Sequence, residues 1–315
     1  MSFPQFRNDV PVGYSVRPTR LQTADICLPR PLTESSPDRT FWVIYIHGGA
    51  WRDPAITSTS IQPTLTRLLN SPETLCRIAG FASLNYRLSP YPTHATDPSR
   101  PDDAARNARH PDHLDDVLAA LQWLDREYDV GSLGRRGGRG HEYILVGHSC
   151  GATLAFQALR RMAGHGPNHS PRGGCGSQAL PAAVVGVCGI YDIPLLVSTH
   201  EHPAYREFVE AAFGEEEREW AEVSPADGVG RLQDGGGGGG MRVVVLGQSS
   251  EDELVDGGQR DAMVETLREE GFEEGGADKE LVVLDMKGKH DEVWENGEEI
   301  VRAIEVALDR LSRRM

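Results

Sequence analysis

An α/β architecture with a mostly parallel sheet is what this sequence predicts, on three observations. Short apolar runs recur along the chain, and most are continuous rather than alternating, as when both faces of a sheet are covered. Segments of helical periodicity lie between them. One junction, YILV then GHSCG then ATLAFQALRRM, passes from strand to helix through a tight glycine-flanked turn.

Candidate strands are the apolar runs at 24–28, 42–46, 82–86, 143–146, 183–189, 243–246 and 281–286. Helical segments alternate with them. The first, 63–70, is short. Over 113–125, Leu114, Val117, Leu118, Leu121 and Leu124 recur at three-to-four spacing and make one apolar face. Residues 152–162 follow the fourth run. The helix at 260–270 stops at Gly271, a fitting C-cap. The last, 298–311, carries Ile300, Ile304, Leu308 and Leu311 at helical spacing. Residues 194–221 are helical in flavour but have no neighbouring strand, which predicts a small cap region above the sheet.

The chain has 315 residues, 39% hydrophobic and 25% charged, an ordinary soluble globular composition. Its formal net charge of -15 is the wrong sign for a binder of phosphate backbones or anionic lipid, so neither nucleic acid nor membrane is expected as a partner. The longest apolar run, Phe41 to Ile46, is far short of a bilayer span of roughly 20 residues. The start, MSFPQFRNDV, has no h-region or cleavage pattern, so no secretory signal is expected. Five scattered cysteines with no C-x-x-C pair predict reduced thiols in the cytoplasm. Glycine is concentrated at 131–140, 164–178, 227–240 and 273–278, and a segment rich in proline and aspartate runs over 93–112. These lie between periodic segments and read as lengthened loops, so 1–315 is expected to form one domain without internal repeats.

Gly147-His148-Ser149-Cys150-Gly151 is a G-x-S-x-G pentapeptide in the strand–turn–helix context of a nucleophile elbow. Such a turn exposes the serine, and the helix N-terminus behind it favours developing negative charge. Acyl transfer also needs donors aimed at the oxyanion. One is the N–H after the nucleophile, here Cys150. The other is expected from His47-Gly48-Gly49-Ala50-Trp51, directly after the strand at 42–46: Gly48 and Gly49 are candidates, with Gly49 favoured. His47 is expected to fix this loop by hydrogen bonds, and Trp51 either to line the pocket or to pack.

The serine needs a base, and the base an orienting acid. Where an elbow follows a strand of such a sheet, these come in the order Ser, Asp/Glu, His. Of eleven histidines, His290 alone lies beyond residue 202, in a loop after the last strand. The acid is expected after the strand at 243–246, where Glu251, Asp252, Glu253 and Asp256 compete. Asp252 is preferred because Asp-x-x-Val sets an apolar anchor, Val255, three residues on.

HGGAW ahead of GHSCG, with Asp252 and His290 following, resembles the α/β-hydrolase superfamily. Within it, HGG-x-W is similar to the kynurenine formamidase (arylformamidase) family, fungal members especially, as are NYRLSP at 85–90, HLDDVLAALQWL at 113–124 and GIYD at 189–192. The resemblance spans most of 20–311 and leaves the Gly-rich insertions outside. It implies an α/β-hydrolase fold that cleaves N-formyl-L-kynurenine to L-kynurenine and formate in tryptophan degradation. It also implies Ser149, Asp252 and His290 as a triad and HGGAW as the oxyanion motif. The expected partner is a small aryl formamide, no metal or organic cofactor is required, and a homodimer is left open. Two rivals stand beside this reading: a carboxylesterase of the hormone-sensitive-lipase type, and a hydrolase-fold binding protein without turnover.

Other patterns carry less. His200-Glu201-His202 sits in a polar stretch without a partner pattern for a metal, and the glycine tract at 235–240 lacks the Lys-Ser/Thr ending of a P-loop. The Cys150 side chain is expected to pack away from the elbow, and Asp192 to cap the following turn.

Overall fold

The computed structural model describes residues 2–13, 18–131, 140–164, 179–227 and 241–314. Strands β1 (Gln5–Pro11), β2 (Thr23–Leu28), β3 (Phe41–Ile46), β4 (Ile78–Leu84), β5 (Tyr143–His148), β6 (Ala183–Val187), β7 (Val243–Ser249) and β8 (Glu280–Met286) form one sheet. Their order is β1-β2-β4-β3-β5-β6-β7-β8. The first two pairings, β1 with β2 and β2 with β4, are antiparallel; the others are parallel.

Helices cover both faces. They are α1 (Gln62–Leu69), α2 (Pro72–Leu75), α3 (Asp112–Tyr128), α4 (Cys150–Met162), α5 (Ile193–Thr199), α6 (Ala204–Phe213), α7 (Glu217–Val223), α8 (Gly257–Glu269), α9 (Glu292–Asn296) and α10 (Glu298–Ser312). On one face Trp42, Ile44, Leu145, Val184 and Val244 pack with Leu121, Leu154, Leu159 and Leu267 of α3, α4 and α8. On the other, Val43, Ile144, Val185 and Val245 pack with Leu65 and Leu68 of α1 and with Ile300, Ile304 and Leu308 of α10. Alternate residues of the same strands thus enter opposite cores, which is why these strands read as unbroken apolar runs.

Several boundaries differ from the sequence expectation. The run expected at 82–86 is a strand from Ile78 to Leu84, because β4 pairs with β3 from Phe41 onward and Asn85 already turns away to donate to Thr23 and Ser58. β6 ends at Val187, ahead of Cys188, which has a positive φ of 46°. β1 was not expected: its burial pattern is mostly exposed, and it is held by backbone pairing to β2. The stretch at 194–221 is occupied by α5, α6 and most of α7, with no strand among the described residues. The segment at 93–112 folds back on itself, with Arg106 buried and bound to Asp97. The Gly-rich segments at 132–139, 165–178 and 228–240 lie outside the described residues. Among the described residues, no helix is long and apolar enough to cross a membrane.

The parallel strands β3, β5, β6, β7 and β8 all point their C-terminal ends to one edge, and the loops that leave this edge carry every candidate site residue. Ligand sites of open α/β sheets gather at that edge for the same reason.

Candidate active site

Ser149 sits between β5 and α4 with φ 55° and ψ −126°. A non-glycine residue with positive φ is strained and persists only where its surroundings hold it. Here the Ser149 N–H donates to Val187 O at 2.9 Å, and the flanking glycines allow a very close approach. A Cβ at Gly147 would stand 2.3 Å from the Gly151 carbonyl oxygen, and one at Gly151 would stand 2.2 Å from Ile46 O. The spacing of the pentapeptide is therefore dictated by backbone contact on both sides of the serine.

The loop after β3 lies alongside. A Cβ at Gly48 would be 3.0 Å from Ser149 Cβ, and Gly49 adopts φ 96°. No hydrogen bond within the described residues takes up the N–H of Gly48 or Gly49. The loop is braced from behind. His47 donates through Nδ1 to Gly48 O at 2.8 Å and stacks on Tyr86 with ring centroids 4.4 Å apart. The Tyr86 hydroxyl donates to the carbonyls of His47 and Gly48 at 3.0 and 3.1 Å. Cys150 Sγ accepts the Trp51 N–H at 3.3 Å, and burial pushes its thiol up to about 11. Burial also lowers His47 to about 4, so its ring is neutral at pH 7. Trp51 is fully buried against Phe208 and Phe213, and the wall of the cavity is made by its neighbours Ala50 and Arg52.

His290 and Asp252 meet across the β7 and β8 loops. The His290 Nδ1–H donates to Asp252 Oδ2 at 2.8 Å and lies 3.0 Å from Oδ1. Asp252 also accepts the backbone N–H groups of Leu254 and Val255 at 3.0 and 2.9 Å and the Gln248 amide at 3.2 Å. Burial alone would raise this carboxyl, but the His290 ring and those N–H donors outweigh it and hold it below the usual range. Val255 is buried. The competing acids have other partners. Glu251 accepts the N–H of Gly288 and Glu253 that of His290, each at 3.2 Å, while Asp256 caps α8 through the N–H of Gly258 at 2.7 Å.

His290 Nε2 has no partner among the described residues, and no hydrogen bond joins it to Ser149 Oγ; the two residues face the same cavity. Such bonds are commonly long without substrate and tighten when it binds. The cavity has a volume of about 700 Å³, within the range of small-molecule sites. Gly49, Ser149 and Ile190 line it together with Tyr205 and Phe208 of α6. His148 tucks beneath His290, donating through Nε2 to His290 O at 3.2 Å, and burial lowers it to about 3.

Cys188, unremarked in the sequence, stands beside this pair. Ligating atoms of Cys188, Asp252 and His290 lie within 4.8 Å of one another, the sole set of this kind among the described residues. Metal binding requires a thiolate and a bare ring nitrogen. Burial and the Asp252 charge raise the Cys188 thiol well above its ordinary value, and Nδ1 already carries the proton shared with Asp252, so the set suits an acid–base pair better than a metal. His200, Glu201 and His202 line the cavity without converging; His200 is held to Leu196 O at 2.9 Å and stacks on Tyr205. Asp192 caps α5 through the N–H of Leu195 at 2.8 Å.

Two relatives span nearly the whole chain. A kynurenine formamidase of Aspergillus versicolor is 36% identical over 315 residues, 95% of this chain and 98% of that protein. A kynurenine formamidase-like hydrolase of Fusarium equiseti is 35% identical over 311 residues, covering 96% and 94%. A kynurenine formamidase of Meyerozyma guilliermondii is 31% identical over 226 residues, 72% of this chain and 71% of that one. No family model matches the chain. Among solved structures, a truncated carbohydrate esterase from gut microbiota has a TM-score of 0.61 at 17% identity, covering 98% of both chains. The HSL-homologue EstE7 from a metagenome library has a TM-score of 0.59 at 16% identity, covering 99% of this chain and 86% of that one. With the sheet order above, these likenesses establish the α/β-hydrolase fold.

Proposed function

Because the chain belongs to the kynurenine formamidase family, we propose that it is a serine hydrolase cleaving N-formyl-L-kynurenine to L-kynurenine and formate. What supports the reading most is one arrangement: Ser149 in its positive-φ turn and the His290–Asp252 pair, bonded at 2.8 Å, open on the same cavity. The whole chain acts as one domain, with α5 to α7 as a cap over the site.

In this mechanism His290 Nε2 takes the proton of Ser149 Oγ as the oxygen attacks the formyl carbon. Nδ1–H stays on the imidazole, and the Asp252 carboxylate stabilises the imidazolium that forms. The N–H groups of Gly49 and Cys150 receive the oxyanion; neither has to be freed from a loop bond first, so little reorganisation is needed. His290 then gives its proton to the departing arylamine nitrogen. Water, deprotonated by the same imidazole, releases formate from Ser149.

The test is turnover of N-formyl-L-kynurenine beside a p-nitrophenyl ester series from C2 to C8. A kcat/KM for the formamide well above that for every ester is expected. Preference for C4–C8 esters would transfer the site to the carboxylesterase reading, and no turnover of either would leave a binding protein.

A further inference from the structure

Arg52 lines this cavity, and neither the elbow nor the His290–Asp252 pair uses it. Among the described lining residues it is the one permanent cation, beside the carboxylates of Asp53, Glu201, Glu253 and Asp291. Its side chain is only 7% exposed, so its guanidinium has been taken largely out of water. One nitrogen donates to Glu207 Oε1 at 2.8 Å, and that carboxylate is 54% exposed at the rim. The guanidinium carbon lies 4.0 Å from the centroid of the Tyr91 ring, which fixes its plane, with Phe208 at 5.8 Å. A guanidinium has five N–H donors, and Glu207 is the one hydrogen-bond partner the Arg52 guanidinium has among the described residues. The other donors are left for what enters the cavity.

Its place in the chain adds a second constraint. The N–H groups of Arg52 and Asp53 both donate to Gly49 O, at 3.0 and 2.8 Å, closing a tight turn. One rigid loop thus presents free backbone donors beside Ser149 at one end and an oriented cation at the other.

We infer that Arg52 anchors the carboxylate of an amino-acid substrate, with the acid-rich remainder of the wall favouring a zwitterion over a simple anion. This rests on the proposed function for the identity of the substrate, but it concerns a different end of it. A planar guanidinium matches a carboxylate in a two-bonded fork that a lysine cannot make. Because Tyr91 and Glu207 already hold the group, little side-chain freedom is lost on binding.

The experiment uses products, which carry no formyl group and need no turnover. Calorimetric Kd values are measured for L-kynurenine and for kynuramine, its analogue without the carboxylate, on the unaltered protein, Arg52→Gln and Arg52→Lys, with melting curves for each. The unaltered protein should prefer L-kynurenine about 10- to 100-fold, as for a charge-assisted contact. Arg52→Gln should bring the two within about threefold of each other by weakening L-kynurenine alone, and Arg52→Lys should restore part of the gap. Equal or unmeasurable binding of both by the unaltered protein overturns the assignment, with no variant needed. So does a preference that survives in a folded Arg52→Gln. Failure to cleave N-formyl-L-kynurenine despite a carboxylate preference lost in Arg52→Gln would reject the proposed reaction and uphold the anchor.

Discussion

Glu253 Oε2 accepts the backbone N–H of His290 at 3.2 Å, so the residue beside Asp252 holds the main chain of the histidine whose ring Asp252 holds. Glu251 does the same for Gly288, and Ser249 Oγ–H closes the seam by donating to Gly288 O at 2.6 Å. The acidic loop is therefore a brace with one carboxylate on the imidazole and two on the backbone.

Asp252→Asn should cost about 10⁴ in kcat, by analogy with the serine-protease acid, because an amide neither stabilises an imidazolium nor reliably selects the tautomer with Nδ1–H. Glu251→Gln and Glu253→Gln keep a side-chain oxygen to accept the same backbone N–H and should lose less than about tenfold. Steady-state kcat for the three variants decides. A larger loss in either glutamine variant would place the orienting acid elsewhere on the loop.

Ser149→Ala and Ser149→Gly should both lose about 10⁴–10⁶ in kcat, leaving the residual catalysis of the oxyanion donors. Their stabilities should differ. Alanine keeps the strain of φ 55°, whereas glycine takes that conformation freely and gives back only part of the gain through its more flexible unfolded chain. The glycine variant should be more stable than the alanine variant by roughly 1 kcal/mol, or about 2 °C in Tm. An alanine variant as stable as the glycine one would show that the turn carries no strain.

Three buried histidines, His47, His113 and His148, and the half-buried His110 contribute most to the acid limb of stability, and burial lowers His141 in the same direction. Burial is the largest cause in each case, lowering His47 and His110 to about 4 and His113 and His148 to about 3. In the unfolded chain they titrate near 6.5. Between those values the unfolded state binds protons that the folded state refuses, so stability is full above about pH 6.5 and falls as pH drops toward 4. Each histidine contributes up to about 1.4 kcal/mol per pH unit in that window. Asp252, held low, adds its loss only below about pH 4. Urea midpoints at pH 7, 6 and 5 should decline steeply. His113→Gln, which keeps a partner for Ser89 Oγ (now 2.9 Å from Nε2), should flatten the slope by one proton's worth. Midpoints unchanged from pH 7 to 5 would contradict the buried neutral rings.

Much of the framework was legible because local signals agree with it. The central parallel strands are unbroken apolar runs since alternate residues enter two cores, and the pentapeptide is punctuated by glycines at which no side chain fits. The proposed order Ser149, Asp252, His290 is one this fold can bring together, because the parallel strands deliver their loops to one edge. β1 was hidden because it is an edge strand with an exposed surface and no apolar face to count. The roles of Glu251 and Glu253 rest on backbone N–H groups of a distant loop, which leave no mark on composition or spacing. Arg52 reads in sequence as one more solvated charge. Only the folding of Tyr91 and α6 over it gives it a wall to belong to. Cys188 gave no signal either, since an isolated cysteine after a strand is an ordinary core residue.

The last prediction separates a serine mechanism from a metal one at this very cluster. Cys188, Asp252 and His290 bring three metal-capable atoms within 4.8 Å, so the question has a definite place in the structure. An ion there would have to remove the proton from Nδ1 of His290, break its 2.8 Å bond to Asp252, and strip a thiol that burial keeps protonated. Each step works against the arrangement of groups observed. A strong chelator should therefore leave kcat unchanged. A fluorophosphonate, which needs an activated hydroxyl and an oxyanion pocket, should inactivate the enzyme with one label per chain, located on Ser149 by peptide mass spectrometry. Activity lost on chelation and restored by Zn²⁺, or a label on any residue other than Ser149, would overturn the assignment of the nucleophile.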